Sequence, residues 1–578
     1  MEPISYLFGN GMRLLVLLIC ASLFEGCGGN KGSQHGYKGE SASSASSSAS
    51  PTAQEKLHLV STSPVTQEVN VNRYQTIKLV FDKNLNVNSV TAENVVLKDD
   101  ANNRIPVSLV ALDNKLAVSP LQRLARETNY SVDALGLQGQ SGETLTDGKL
   151  LSFTTSTQRE WGSAFQVDST NNASKAHATI NGNGNAILVW QQASVAFAGI
   201  GYSTYGRETG WAKPGALLGM SYELGEIKIA YVDDEHAVAV WRLNGCKDGT
   251  FVSSYTARAG WDVPRELMPP YPYRGSCLGP SNQTISITSN RAGKAIAAYR
   301  YFKGSGYSIH TNTYVVAEGW NPTQVVSRLD EMVYEIPNVF INSRGDAFLT
   351  FARYYEWYQM ELHKHTTEDS WKAVPGSGID YKNEYHSANL VVDQRGDVTL
   401  VWARRGRDGR SGESQIFARR ISASLEVGAD IDITNSIGDA SAPAIAIDPS
   451  GNVAVAWSHN VEGKTHIYVN RYSFLNDSWQ GIEDVAMDIK YMSSAPPQIA
   501  ADKDGHIVIV WLQQDGSKIN LYSRRYVPSS GWEDARLHSN VNGDANDPHL
   551  AFGSDGDAIL SWESREPTIS KIVVTMFD

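Results

Sequence analysis

IAIDPSGNVAVAW (445–457) and IAADKDGHIVIVW (499–511) are one phrase written twice: an apolar run, a polar turn containing Gly, and a second apolar run closed by Trp. Six more copies stand along the chain: ATINGNGNAILVW (178–190), IAYVDDEHAVAVW (229–241), ISITSNRAGKAIAAY (285–299), VFINSRGDAFLTF (339–351), LVVDQRGDVTLVW (390–402) and LAFGSDGDAILSW (550–562). The closing aromatics are Trp190, Trp241, Tyr299, Phe351, Trp402, Trp457, Trp511 and Trp562, spaced 51, 58, 52, 51, 55, 54 and 51 residues apart. A sustained period of about 50 residues marks a repeat architecture and overrides a domain count taken from length. Six positions before the aromatic stands Gly184, Gly293, Gly345, Gly396, Gly451, Gly505 or Gly556, with Glu235 the exception in the second copy. Such a Gly supplies the positive φ of a tight hairpin turn.

Each aromatic is followed by a loop of unequal length and a third strand such as HIYVNRY (466–472) or NLYSRRY (520–526). A turn closed by Trp211, Trp261, Trp320, Trp371, Trp479 or Trp532 then leads into a fourth strand; the fifth copy lacks this Trp near Leu425. Four strands per repeat predict an all-β array, an eight-bladed β-propeller over 157–578. The first two strands barely alternate, as strands covered on both faces do. The array opens on Glu160-Trp161-Gly162, which matches a fourth-strand start, and its last copy carries only three strands before Asp578. The N-terminal strand is therefore expected to complete the last blade. An open stack would leave an unpaired edge there.

The apolar run LLVLLICASLF (14–24) follows Arg13 and precedes Cys27. It is too short to span a bilayer and has the order of a secretory signal. Leu23-Phe24-Glu25-Gly26-Cys27 resembles the bacterial lipoprotein lipobox, with Phe24 and Glu25 departing from its usual aliphatic and small residues. The resemblance implies a signal peptide over 1–27, lipid attachment at Cys27, and a membrane partner reached through that lipid. Met12-Arg13 resembles a lipoprotein start more than Met1 does, and Gly28 after the cysteine implies the outer membrane. Residues 28–56, with SASSASSSASP at 41–51, cannot bury a core and read as a tether.

Seven short alternating segments between 57 and 156 predict a β-sandwich. STSP (61–64), IKLVFDKNLN (77–86), LAVSPLQRLARETNYSV (116–132) and LSFTTS (151–156) resemble the bacterial Ig-like family of S-layer proteins. That resemblance implies a spacer or stalk.

The net charge of −12, with no Lys/Arg cluster beyond Arg404–Arg410, argues against nucleic acid. Of four cysteines, Cys20 and Cys27 lie in the leader. Cys246 and Cys277 remain and are expected to form a disulfide in an exported protein. No cofactor and no metal site is expected. Glu361, His363 and His365 alternate on one strand and read as an exposed strand face rather than a zinc trio. Two Arg-Gly-Asp triplets, 344–346 and 395–397, fall on the Gly turns and are explained by them. Asp448, Asp502 and Asp504 fall short of a calcium loop.

The loops after the second and fourth strands share one face. Just past the closing aromatics stand Arg242, Arg300, Arg353, Arg404 and His459, with Tyr271, Tyr273, Tyr354 and Trp357 in the neighbouring loops. These are the candidate ligand contacts; the alternative is that each Arg packs on a neighbouring ring as a cation–π pair. No nucleophile elbow, P-loop or zincin motif occurs. The expectation is a monomeric, lipid-anchored envelope binding protein for a glycan or an envelope protein. A propeller-type polysaccharide lyase or hydrolase and a structural scaffold are the alternatives. A paired acid and base within hydrogen-bond reach would favour the enzyme.

Overall fold

The computed structural model describes residues 56–578 except 72, 74, 122–123, 146–147, 157–158, 169, 194–197, 208, 221–223, 244–248, 269–284, 304–305, 328–331, 334–336, 355–357, 366–369, 382–387, 406–412, 435–437, 490–495, 540–542 and 554. Cys27, the tether up to residue 55, Cys246, Cys277, Tyr271, Tyr273 and Trp357 lie outside the described residues. The described chain is all-β apart from one 3-10 turn, Val87–Ser89.

Residues 56–155 form the expected sandwich. One sheet pairs Leu59–Ser63, Ile77–Phe81, Lys115–Pro120 and Val107–Leu112; the other pairs Glu68–Val71, Lys149–Thr155, Asn129–Ala134, Val95–Lys98 and Arg104–Ile105. Inward residues alternate along the strands, and Leu79, Leu97, Leu116, Val118, Val132 and Phe153 meet in one core.

Eight successive antiparallel strand sets follow, one per repeat, numbered as sheets one to eight; the third and fourth are joined into one larger sheet. Their first strands are Ala173–Ile180, Leu224–Tyr231, Ile285–Ser289, Asn338–Ile341, Ala388–Val392, Asp439–Ile447, Gln498–Ala501 and Asp544–Phe552. Each touches the next, and the eighth touches the first, so these strands form a ring. The eighth sheet takes its fourth strand from the start of the array. Phe165–Gln166 pairs with Ile569–Phe577, and Trp161 bridges to Phe577.

The ring is zipped by side chains that accept a backbone N–H from the neighbouring first strand. Thr179 Oγ1 takes the Tyr231 amide at 3.0 Å, Glu226 Oε2 the Ile285 amide at 3.0 Å, and His549 Nδ1 the Ala178 amide at 3.3 Å. Where strand amides would otherwise lack a partner, each such bond avoids the cost of an unmet donor.

The turns behave as the glycines predict. Asn181, Asp393 and Asp502 each accept, through the side chain, the amides two and four residues on, while Gly184, Gly396 and Gly505 take positive φ. Two features differ from expectation. In sheets 1 to 4 and in sheet 7 the fourth strand is broken in two, as in Gly210–Trp211 then Gly215–Met220. Pro214, Pro264, Pro322 and Pro375 stand in the first four breaks, where a residue without an N–H cannot extend the ladder; the break between Gly531–Trp532 and Arg536–Leu537 holds no proline. In addition, Met332–Val333 pairs with both Gly306–Val315 and Ala347–Tyr354, which joins the third and fourth sheets.

The sandwich is fixed to the repeat array within one compact unit, Glu55–Asp578. Arg73, almost wholly buried, donates Nε to the Leu124 carbonyl at 2.7 Å, and its Nη1 stands 3.3 Å from Asp578 Oδ1. Arg126 Nη2 stands 3.6 Å from Asp557 Oδ1.

Candidate functional site

The residue two past the closing aromatic has a structural use in three sheets. Trp190 Nε1 donates to Gln192 Oε1 at 2.9 Å, Trp511 Nε1 to Gln513 Oε1 at 3.2 Å, and Trp457 Nε1 to His459 Nδ1 at 3.2 Å. A buried indole N–H needs such an acceptor. His459 is 0% exposed and belongs to this series rather than to an open surface.

The four arginines are likewise engaged close to home. Arg242 is 1% exposed and donates to the Arg300 carbonyl at 2.6 Å. Arg300 lies over the Tyr307 ring, 4.7 Å from its centre. Arg404 lies over Phe417 at 3.7 Å, with Nη1 3.3 Å from Asp430 Oδ2. Arg353 meets Glu361 Oε1 at 2.7 Å. Tyr354 ends the strand Ala347–Tyr354, and its side chain lies outside the description. Sequence position placed these groups near one face but could not name their partners.

Glu361, His363 and His365 are not an exposed face: both histidines are buried. His363 Nε2 bonds Glu361 Oε2 at 3.0 Å, and His365 meets Trp371 edge-on. Burial works against the Glu361 charge, but the His363 bond and Arg353 outweigh it and hold the carboxyl below its usual range. The two Arg-Gly-Asp turns are structural, as read. Arg344 donates to the Gln394 carbonyl at 3.2 Å, and Arg395 lies over Phe474 at 3.3 Å. Asp502, Asp504 and His506 present ligand atoms within 4.8 Å of one another, but Asp502 already holds His506 Nδ1 at 2.7 Å.

A cleft of 420 Å³ opens between the sixth and seventh sheets, on the face of the Gly turns. It falls in the range of ligand pockets, about 300–1,000 Å³. Asp448, Ser450 and Asn452 of one turn and Lys503, Asp504 and Gly505 of the next form two walls. Tyr472 and Tyr526 stand at the outer strands. Arg471 spans the interface, 3.9 Å over the Tyr526 ring and 2.5 Å from Glu483 Oε1. The sequence reading placed the candidate ligand contacts on the opposite face and did not single out this cleft. Its one sequence signal is Ser450, which stands where the fourth and fifth repeats carry Arg344 and Arg395.

On the other face of the array, in sheet six, His466 Nδ1 meets Asp484 Oδ2 at 2.8 Å. Tyr468 packs on the His466 ring at 5.5 Å. Burial pushes the Asp484 carboxyl and the Tyr468 hydroxyl up from their usual values.

Residues 53–155 match the family described as Bacterial Ig-like domain. The protein thus carries a bacterial Ig-like sandwich ahead of repeated four-stranded antiparallel sheets that resemble propeller blades. A protein of unknown function from Dyadobacter fermentans DSM 18053 is similar at 9% identity and a TM-score of 0.36, over 73% of this chain and 99% of that one. AofleA from Arthrobotrys oligospora is similar at 11% identity and a TM-score of 0.33, over 57% and 91%. A PL25 ulvan lyase bound to a glucuronyl-rhamnose sulfate unit is similar at 10% identity and a TM-score of 0.40, over 59% and 89%. Likenesses at these TM-scores carry no argument about activity. No curated protein sequence matches the chain.

Proposed function

We propose that this chain is a non-catalytic receptor of the bacterial envelope. In this reading the eight sheets of 157–578 are an eight-bladed propeller closed by its N-terminal strand. The Ig-like domain, the tether and a lipid on Cys27 carry it at the outer membrane. The ligand is a glycan or an envelope protein, and no cofactor takes part. The observation that carries the reading is the cleft between sheets six and seven. Polar side chains of two adjacent turns line it, whereas Arg242, Arg300, Arg353, Arg404 and His459 are occupied within the fold.

Screening the full chain against glycan arrays and envelope extracts, beside a Ser450→Trp variant that blocks the cleft, tests it. Binding lost in the variant at unchanged melting temperature supports the reading. A ligand whose binding survives the block refutes it. One observation favours an enzyme instead, of lyase or hydrolase type: the His466–Asp484 pair beside Tyr468 supplies an acid and a base within hydrogen-bond reach. Turnover of a polysaccharide abolished by His466→Ala would establish that alternative.

A further inference from the structure

Three turns carry a carboxylate at the same repeat position: Asp393, Asp448 and Asp502 in sheets five, six and seven. Two of the three have a guanidinium beside them. Arg395 Nη2 stands 3.0 Å from Asp393 Oδ2, and the group extends over Phe474 of the next sheet, 3.3 Å from the ring centre. Arg159 comes from the closing segment, one residue before Glu160, which bonds to Asp578 at the end of the last strand. Its Nη1 is 3.8 Å from Asp502 Oδ2, and it donates to the Asp555 carbonyl of sheet eight. The gaps between sheets five and six and between seven and eight are thus each filled by an arginine set against a turn carboxylate.

The gap between sheets six and seven has no such filler. Ser450 occupies the position of Arg395 and is too short to cross. Asp448, only 8% exposed, receives the Asn452 amide at 2.9 Å and Asn452 Nδ2 at 2.8 Å, and pairs with no basic side chain among the described residues. The other charges lining the cleft are already matched, Arg471 by Glu483 and Lys503 by Asp504 at 2.8 Å. The cleft therefore opens where the arginine is missing and leaves one buried carboxylate without a cation. Burying an unmatched charge is costly, and a planar guanidinium satisfies a carboxylate better than a point charge does.

We propose that this cleft receives the arginine side chain of a partner polypeptide, seated against Asp448 as Arg395 is against Asp393 and Arg159 against Asp502. The inference rests on the receptor reading and names its partner. Arg159 shows that the seat next to Asp502 is filled by an arginine from outside that turn, reaching in from the closing segment. The net charge of −12 favours a basic partner.

The test is binding of a short Gly-Arg-Gly peptide to the full chain, beside versions carrying lysine or citrulline, followed by calorimetry and amide chemical shifts. The arginine peptide should bind at least tenfold more tightly than the citrulline one. It should shift signals of 448–452 and 503–505. Asp448→Asn should lower its affinity at least tenfold; Asn stands at this position in Asn181, Asn290 and Asn342, so the turn is retained. Ser450→Arg should abolish binding by filling the seat from within. Equal binding of arginine and citrulline peptides, indifference to both variants, or no binding of any peptide overturns the proposal. A glycan that binds the cleft without preferring a cation overturns it too, but leaves the receptor reading standing.

Discussion

Replacing Trp161 by Ala should weaken ring closure. Trp161 is 5% exposed. It packs edge-on against His538 with centroids 4.9 Å apart, and against Phe577 at 5.1 Å. Its carbonyl accepts from Arg536 Nη2 at 2.8 Å. Around it the closing segment makes ladder bonds to the last strand: Glu160 N to Asp578 O at 2.9 Å, Gly162 N to Met576 O at 2.8 Å and Val167 N to Ile572 O at 2.9 Å. Truncating a buried Trp costs about 3–5 kcal/mol. An unfolding entropy of about 2.1 cal/mol/K per residue gives about 0.9 kcal/mol/K for roughly 420 residues, so the melting temperature should fall by about 3–6 °C. Trp261, at the same repeat position but half-buried and inside a covalently continuous sheet, should cost less on truncation. Calorimetry of the full chain gives the shifts, and amide exchange along Ile569–Phe577 reports opening of the closing edge. A Trp161→Ala melting temperature within a degree of the parent, with unchanged exchange there, would refute closure by this strand.

Acidification should destabilise the fold before carboxylates matter. Burial, aided by Lys228 and Arg536, lowers His549 and His538 to about 3, and burial lowers His177 in the same direction. Below about 6.5 the unfolded chain takes up protons that the fold refuses, so stability falls with pH, by up to about 1.4 kcal/mol per unit for each histidine. His177 and His549 are partly exposed and contribute less. Asp484, raised by burial, acts oppositely at lower pH, so a flat melting temperature between pH 7 and 5 would contradict the assignment. Removing Arg73 deprives the buried Asp578 carboxylate of this guanidinium, a loss on the order of 3 kcal/mol; melting curves of Arg73→Ala and of a double variant with Asp578→Asn check it, the second restoring much of the loss. Oxidised, denatured protein should show no free thiol at Cys246 or Cys277, and thiol titration decides that pairing.

The repeat was legible because a hairpin turn writes its own chemistry: Gly for positive φ, Asn or Asp to cap the amides, an aromatic to close the strand. Ring closure followed from Glu160-Trp161-Gly162 matching a fourth-strand start. The breaks in the first four fourth strands were legible in principle through Pro214, Pro264, Pro322 and Pro375, but a proline reports a missing donor, not where pairing resumes, and the seventh breaks without one. The partners of the candidate arginines were not legible for a different reason. Repeat position fixes which end of a sheet a residue occupies, while its partner is set by packing. Arg353 and Glu361 come together across a hairpin, and Arg471 and Tyr526 across two sheets, 55 positions apart in sequence. His459 looked like a ligand-face histidine because the indole it serves, Trp457, was read only as a core residue.

Most repeated residues are now accounted for by contact between sheets. The Trp of the fourth-strand start reaches back to the preceding sheet: Trp261 to Tyr202 at 5.9 Å, Trp371 Nε1 to Thr311 Oγ1 at 2.9 Å, and Trp532 Nε1 to Glu483 Oε2 at 2.5 Å. In the later sheets a third-strand arginine reaches forward, Arg420 over Tyr472 at 4.3 Å, Arg471 over Tyr526 at 3.9 Å and Arg525 over Phe577 at 5.3 Å. Each of these arginines also meets an acid, Asp397, Glu483 or Glu533, so the cations are matched where they are half-buried. The sixth-to-seventh interface keeps both devices, Arg471 on Tyr526 and Trp532 on Glu483. Closure of the ring there does not depend on a third contact at the turn. Ser450, with no guanidinium to offer at its turn, is therefore compatible with an interface held by these two contacts.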